Sequence, residues 1–260
     1  MSLNLQEQID YLVASILLEV RSGFNLRKFK TMVFDDQWEY ANEHLELLGV
    51  GSARSVFLLS SRYVLKMARG DRGFSFEKGT AQNEAEVDVY TDPRTKPIVT
   101  KIYDFDPKKY TWVVSELVRP LSHKEFVSTV GGEPDDIARA VEIYTREDYS
   151  LEAANNYLEK NIQNWNKKIE AAKGGISDDP TDDSAVRLEK VEWWTDSIEE
   201  FKRAQKALDL DITKTVMELD DEFGLISGDT ITPGHWGKTV DGRIVLLDYG
   251  FTEDVAFAYY

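Results

Sequence analysis

The chain has 260 residues, and its 47 acidic and 31 basic side chains give it a formal charge of −16. This acidity argues against a protein that mainly wraps nucleic acid, because phosphate binding needs clustered Lys and Arg. The absence of cysteine excludes a disulfide framework, a Cys-type zinc site and a thiol nucleophile, and it suits a reducing cytosol. The apolar stretch 11–18 is too short to span a bilayer, and no basic secretory leader precedes it. We therefore expect a cytoplasmic protein without membrane contact, and any protein partner is expected to be basic.

The first 42 residues are assigned to an N-terminal helical extension. An apolar stripe with helical spacing runs through Leu5, Ile9, Leu12, Ile16 and Val20. Such a stripe either covers the domain behind it or docks a partner.

Residues 43–118 are predicted to form a β-rich lobe. A helix capped by Thr80 and ending near Tyr90 interrupts its strands. Three strands, one helix and two strands, in that order, predict an antiparallel meander. The predicted strands are 45–50, 55–59, 63–68, 98–105 and 110–117.

Residues 119–260 are predicted to be mainly helical. The stretch 174–183 is read as a solvated loop, because its aspartates lack the spacing of a calcium loop. Short strands return at 225–227 and 243–247, the second after a hairpin turn. Three apolar stripes predict long amphipathic helices; they begin at Leu151, Val191 and Ile212.

A glycine pair marks the predicted turn between the first two strands. Gly49 and Gly51 flank Val50, with Ser52 following, and backbone N–H groups in such a turn can approach phosphate oxygens. Lys66 interrupts the third strand, where a charge must face outward or meet an anion.

Two glutamates of the predicted helix can meet Lys66. Glu86 is preferred over Glu84, because it shares a helical face with Asn83 and Tyr90. The alternative is that both glutamates are solvated on a surface helix.

Two aspartates near the end of the chain form the strongest local signal. Asp229 and Asp248 each lie beside a glycine-containing turn at a predicted strand end, and a hairpin joins them. One such carboxylate can orient or deprotonate a hydroxyl while the other chelates magnesium.

Taken in this order, these elements resemble the protein-kinase-like superfamily, including its aminoglycoside-phosphotransferase-type members. Two runs near the end of the chain are most similar to the small kinase-like proteins of tailed bacteriophages. They are Pro-Gly-His-Trp-Gly-Lys and, ending at Phe251, Asp-Gly-Arg-Ile-Val-Leu-Leu-Asp-Tyr-Gly-Phe. The resemblance covers roughly residues 45–251 and implies an α+β, bilobal fold in the host cytoplasm. A small antiparallel β lobe with one helix would be followed by a mainly helical C-lobe, truncated soon after the Asp-Tyr-Gly motif.

The resemblance implies an ATP-dependent phosphotransferase that acts on hydroxyls, expected on a protein. The chain would then lack room for an activation segment. In this resemblance Lys66 would contact the α- and β-phosphates and Glu86 would hold Lys66, while Asp229 would be the catalytic residue and Asp248 would bind magnesium. The loop that covers the phosphates would consist of Gly49, Val50, Gly51 and Ser52. The adenine would bind near Glu116, Leu117 and Val118.

Two positions depart from the family pattern. Arg54 stands where a third glycine is usual, which stiffens the loop. Gly234 occupies the position of a metal-binding asparagine, and His235 follows it; a neutral imidazole suits manganese better than magnesium. The expected metal ligands are therefore Asp248 and His235, with Mg²⁺ or Mn²⁺ bound. Two alternatives stay open: a pseudokinase scaffold, or a small-molecule phosphotransferase with a cationic, aminoglycoside-like substrate.

Overall fold

The structure, a computed structural model, describes residues 23–69, 74–174 and 184–259. The predicted N-terminal stripe and nearly all of the 174–183 loop lie outside these residues. The chain forms two compact units, Met1–Ser122 with Phe223–Tyr260, and His123–Glu222. The predicted α+β class is confirmed, with a β-rich unit and a helical unit. The division at residue 118 stays a prediction; in the structure, residues 223–260 belong to the β-rich unit.

A five-stranded antiparallel sheet forms the centre of the first unit. Its strand order is β1-β2-β3-β5-β4, so the predicted meander is wrong: β5 pairs with β3 and leaves β4 at the edge. The strands are β1 (Glu46–Val50), β2 (Arg54–Leu58), β3 (Tyr63–Ala68), β4 (Ile102–Phe105) and β5 (Trp112–Glu116).

Two helices cover one face of this sheet, α1 (Leu26–Thr31) and α2 (Phe34–His44). Leu65 and Met67 of β3 point to this side and are fully buried in the cluster that also contains Phe29. Because side chains alternate along a strand, Lys66 faces the opposite side of the sheet.

Helix α3 (Phe74–Thr91) contacts β3. Thr80 was expected to cap this helix, but it lies inside it, six residues after the start. The helix therefore begins earlier than its sequence pattern suggests, and the segment before Thr80 includes Gly79.

The last part of the first unit carries the two aspartates. A second antiparallel sheet has the order β6-β7-β8, in which β7 and β8 form the predicted hairpin. Leu225 forms only an isolated bridge to Thr252, so the predicted strand 225–227 is absent there. The elements are β6 (Arg119–Pro120), β7 (Trp236–Lys238) and β8 (Ile244–Leu246).

The second unit is helical. Leu158, Ile198 and Val216 from the three predicted stripes are buried, which confirms the amphipathic pattern. No helix among the described residues is long and apolar enough to cross a bilayer. The helices are α4 (His123–Val130), α5 (Pro134–Arg146), α6 (Leu151–Lys173), α7 (Ser184–Leu208) and α8 (Asp211–Phe223).

Substitution of Gly79 by alanine is expected to destabilise the first unit by about 1–3 kcal/mol, as overpacking does. A Cβ atom there would lie 2.4 Å from the carbonyl oxygen of Ala53 and 2.8 Å from Cα of Ala68. Gly49→Ala is the matched control, because a Cβ there meets nothing within 4 Å. Urea unfolding of both variants tests this; equal stabilities would show that α3 can move away from the sheet without cost.

Candidate active site

Lys66 and Glu86 form a buried ion pair between β3 and α3. The Nζ atom of Lys66 lies 2.8 Å from Oε1 and 2.9 Å from Oε2 of Glu86, whose side chain is fully buried. The same ammonium donates to the carbonyl oxygen of Leu247 at 2.7 Å. These three contacts match the three N–H donors of an ammonium group, so they hold Lys66 in one direction.

The helix face explains why Glu86 and not Glu84 meets Lys66. Asn83 and Glu86 lie three residues apart, which places them on the same side of α3, and both are fully buried. Glu84 is exposed. The pairing expected for Glu86 is thus present, while its role in phosphate binding stays a prediction.

Arg54, the first residue of β2, adds a second cation to this pair. Its Nη1 lies 2.9 Å from Oε1 of Glu86, and its Nη2 lies 2.5 Å from Oδ1 of Asp248. Nη1 also donates to Oδ1 of Asn83 at 3.4 Å. Burial by itself would lower the pKa of Arg54, but the carboxylates of Glu86 and Asp248 outweigh it and raise that pKa. The buried guanidinium therefore stays charged.

The segment after β8 that contains Asp248 packs against the stretch before β4 and against α3. The hydroxyl of the fully buried Tyr249 donates to the carbonyl oxygen of Thr100 at 2.9 Å. A Cβ atom at Gly250 would lie 2.3 Å from the carbonyl oxygen of Gln82. Only glycine allows this approach, which holds the backbone around Asp248 beside the Lys66 pair.

Asp229 lies in a single helical turn, α9 (Ser227–Thr230), and not at a strand end as predicted. His235, at the end of a 3-10 turn, has its Nδ1 2.8 Å from the carbonyl oxygen of Asp229 and 3.4 Å from the Oδ1 of that residue. A carbonyl oxygen only accepts, so Nδ1 carries the proton. The Leu247 N–H donates to the His235 carbonyl oxygen at 2.6 Å, which links the two aspartate segments.

The two carboxyl groups are shifted in opposite directions. Burial raises the pKa of Asp229, and the charge of Asp248 adds to this rise against the opposing effects of His235 and Arg54. The partial burial of Asp248 acts to raise its pKa, but the charges of Arg54 and Lys66 outweigh this effect and lower that pKa. Two carboxyl groups whose surroundings separate their pKa values can take different roles in acid–base chemistry.

The glycine loop joins β1 to β2. Gly49, Val50, Gly51 and Ser52 are all exposed. The Gly51 N–H donates to the carbonyl oxygen of Arg54 at 2.8 Å, which closes the turn. The loop therefore leads directly into the residue that carries the buried guanidinium.

The residues predicted to bind adenine lie at the end of β5, beyond the position that pairs with Lys66. The N–H of Glu116 donates to the carbonyl oxygen of Lys101 at 2.9 Å, and the N–H of Leu117 donates to the carbonyl oxygen of Arg62 at 2.7 Å. Both donors are thus engaged within the protein, and adenine binding there stays a prediction. These residues are Glu116, Leu117 and Val118, of which Val118 is buried.

No family model matches the chain, and no curated protein sequence matches it. Solved structures of aminoglycoside phosphotransferases are similar to it. The GDP complex of aminoglycoside 2′-phosphotransferase-IIIa aligns at a TM-score of 0.32 and 14% identity, over 87% of this chain and 73% of that one. The streptomycin–ATP complex of APH(2″)-IIa and ADP-bound APH(2″)-Ib each align at a TM-score of 0.33 and 11% identity, over 84% and 71%. The likeness is distant.

The side chains around Asp248 do not fit a divalent cation in this arrangement. Oδ1 of Asp248 is paired with Arg54, and Nδ1 of His235 is directed at the backbone of Asp229. Within 23–69, 74–174 and 184–259, no group of three His, Asp or Glu side chains could hold a metal ion. The Mg²⁺ or Mn²⁺ site expected at Asp248 and His235 therefore stays a prediction.

The sequence pattern around Arg54 predicts only a stiffer loop and does not indicate that this residue belongs to the site. Its partner Asp248 lies 194 residues away, so no local spacing connects them. One signal was present: Asn83 shares the helical face of Glu86, and a buried amide beside a carboxylate indicates more polar neighbours than one lysine.

Proposed function

We propose that the chain is an ATP-dependent phosphotransferase with a kinase-like arrangement, and that its acceptor is a hydroxyl group of a protein. The observation that carries this proposal is the contact of the Lys66–Glu86 pair with the segment of Asp248. Lys66 binds a carboxylate on one side and the carbonyl of Leu247 on the other. A lysine held in this way lies beside the Asp248 segment, where a phosphate chain would need a cation.

The glycine loop supports a ligand in front of β1. Glycine is not needed at position 49 for folding, because a Cβ there would meet open space. Leu48 and Val50 of β1 are 46% and 56% exposed, which is high for aliphatic side chains in a strand. A planar base can cover such side chains while phosphates lie along the backbone of the loop.

Asp229 is the group we assign to proton transfer. Its raised pKa and its position beside His235 suit a carboxylate that accepts a proton from a hydroxyl. In the proposed step the acceptor oxygen forms a bond to the γ-phosphorus, and the bond from that phosphorus to the bridging oxygen breaks. The hydroxyl proton passes to the Asp229 carboxylate, and ADP leaves with the bonding electrons.

The acceptor class is supported by charge alone. The formal charge of −16 favours a basic partner. A cationic small molecule would also be attracted by this negative charge. Measurement of ADP release separates the two acceptors, because basic proteins would stimulate it in one case and amino sugars in the other. The relation to kinase-like phage proteins, and with it the host cytoplasm, stays a prediction.

A pseudokinase is the second candidate, and the saturated cluster favours it. The contacts of Lys66 match its three donors, and Arg54 is already paired with Asp248. Such a site can hold a nucleotide, or none, while the protein works by binding a partner.

Lys66→Met tests the nucleotide site. We expect ATP at about a hundredfold excess over Kd to stabilise the wild-type chain by about 2.7 kcal/mol, and this gain to disappear in the variant. Glu86 keeps Arg54 as a partner in Lys66→Met, so the fold is expected to persist. Thermal unfolding with ATP, with and without Mg²⁺, is the measurement.

Lys108→Met is the matched control, because Lys108 lies exposed in the turn before β5. Its ATP response is expected to equal that of the wild type. No stabilisation by any nucleotide would refute the proposed function. Stabilisation without ADP formation would replace it by the pseudokinase.

A further inference from the structure

Arg54 forms ion pairs with two carboxylates of the candidate site, those of Glu86 and Asp248. β2 pairs with β1 on one side and β3 on the other, so the backbone of Arg54 is held within the sheet. The guanidinium contacts Asn83, Glu86 and Asp248 through its two terminal nitrogens. A planar guanidinium suits such a set of oxygen acceptors better than an ammonium group does.

The contact with Arg54 occupies Oδ1, one of the two carboxylate oxygens with which Asp248 could bind a divalent cation. Nη2 of Arg54 lies 2.5 Å from Oδ1 of Asp248, the shorter of the two ion pairs that the guanidinium makes. A metal ion at this oxygen would have to displace Nη2 or bring two cations together. Either change is opposed by the burial of Arg54, whose side chain is only 7% exposed.

The charges of the cluster balance without a metal ion. Lys66 and Arg54 carry two positive charges, and Glu86 and Asp248 carry two negative ones. The Asp248 side chain is still 44% exposed, so the cluster is open to solvent on that side. A phosphate chain that approaches from there meets a carboxylate already neutralised by a resident cation.

We propose that Arg54 takes the place of a divalent cation at Asp248, so that nucleoside phosphates bind to this site without a metal ion. The inference rests on the proposed function, since it concerns the same nucleotide site. The guanidinium neutralises Asp248, so that this carboxylate no longer repels the phosphates of a nucleotide. Removal of this guanidinium frees Asp248, which then needs a divalent cation before the phosphates can approach.

Equilibrium binding of trinitrophenyl-ATP to the full chain tests the inference, in EDTA and in excess Mg²⁺. For the wild type we expect dissociation constants that differ by less than about threefold between the two conditions. For Arg54→Gln we expect binding in EDTA to weaken by about tenfold or more, and Mg²⁺ to restore most of it. Arg94→Gln is the control, because it removes the same charge from an exposed ion pair with Asp92.

The wild-type comparison needs no variant, so it decides the question even if Arg54→Gln does not fold, which circular dichroism would reveal. Wild-type binding that requires Mg²⁺ would overturn this inference and leave the proposed function standing. A folded Arg54→Gln chain that binds as tightly as the wild type in EDTA would also overturn it. If the wild type binds no nucleotide in either condition, both the inference and the proposed function fail.

Discussion

Glu86→Ala is expected to destabilise the chain by about 3–5 kcal/mol, the cost of breaking a buried ion pair by removing one partner. Two cations depend on this carboxylate, since Lys66 Nζ and Arg54 Nη1 both lie within 2.9 Å of its oxygens. Without the Glu86 carboxylate, the positive charges of Lys66 and Arg54 would stay buried between the sheet and α3, and Asp248 would be the one remaining carboxylate of the cluster. Urea unfolding followed by circular dichroism measures the effect.

Glu84→Ala is the matched control, because Glu84 lies on the exposed side of the same helix. Its effect is expected to stay within about 0.5 kcal/mol, as for most surface substitutions. Glu86→Gln separates charge from shape, and we expect it to lose most of the same stability. If the Glu86 and Glu84 variants unfold at the same urea concentration, the buried ion-pair cluster does not stabilise the folded chain.

Local pattern predicted the individual strands well but not their order in the sheet. The apolar run around Lys66 gave β3 with its observed bounds, because a buried strand needs a continuous run of such residues. The order required knowledge of pairing: Lys66 lies opposite Val113 in β5, a contact between distant parts of the chain. Chain order alone suggested a meander, and long-range pairing placed β5 beside β3 instead.

The start of α3 shows where helix propensity is a poor guide. Gly79 lowers the helical character of the sequence, so the pattern predicts a helix that is capped by Thr80. In the folded chain this glycine allows the helix to approach Ala53 and Ala68 closely. A tertiary contact therefore explains a residue that local propensity counted against the helix.

The parts of the candidate site that depend on helical spacing could be predicted from the sequence. The parts that depend on contacts between residues far apart in the chain could not. Glu86 could be preferred over Glu84 because helical spacing places it with Asn83 on one face. The pairing of Arg54 with Asp248 could not be inferred, because it joins the first strands to the last loop. That pairing also makes the expected metal site at Asp248 and His235 the least supported part of the sequence-based hypothesis.

Asp229→Asn is expected to lower the rate of ADP release from ATP by a factor of about 10²–10⁴, which is the usual contribution of a general base. The acceptor in this assay is water or a hydroxyl of the protein itself, so the natural substrate is not required. Asparagine keeps the shape of Asp229 and the backbone contact to His235, because that contact uses the carbonyl oxygen. Nucleotide affinity is therefore expected to change by less than about threefold.

The pH dependence provides a second test of the same role. A general base works in its ionised form, so the rate falls as the pH drops through its pKa. Because burial raises the pKa of Asp229, we expect this fall to lie above the ordinary aspartate value of about 3.9 and to vanish in Asp229→Asn. Asp254→Asn, an exposed change in the helix Glu253–Tyr259, is expected to keep both the rate and the profile. A wild-type rate in Asp229→Asn would assign proton transfer to another group, while equal inactivity of both chains would favour the pseudokinase.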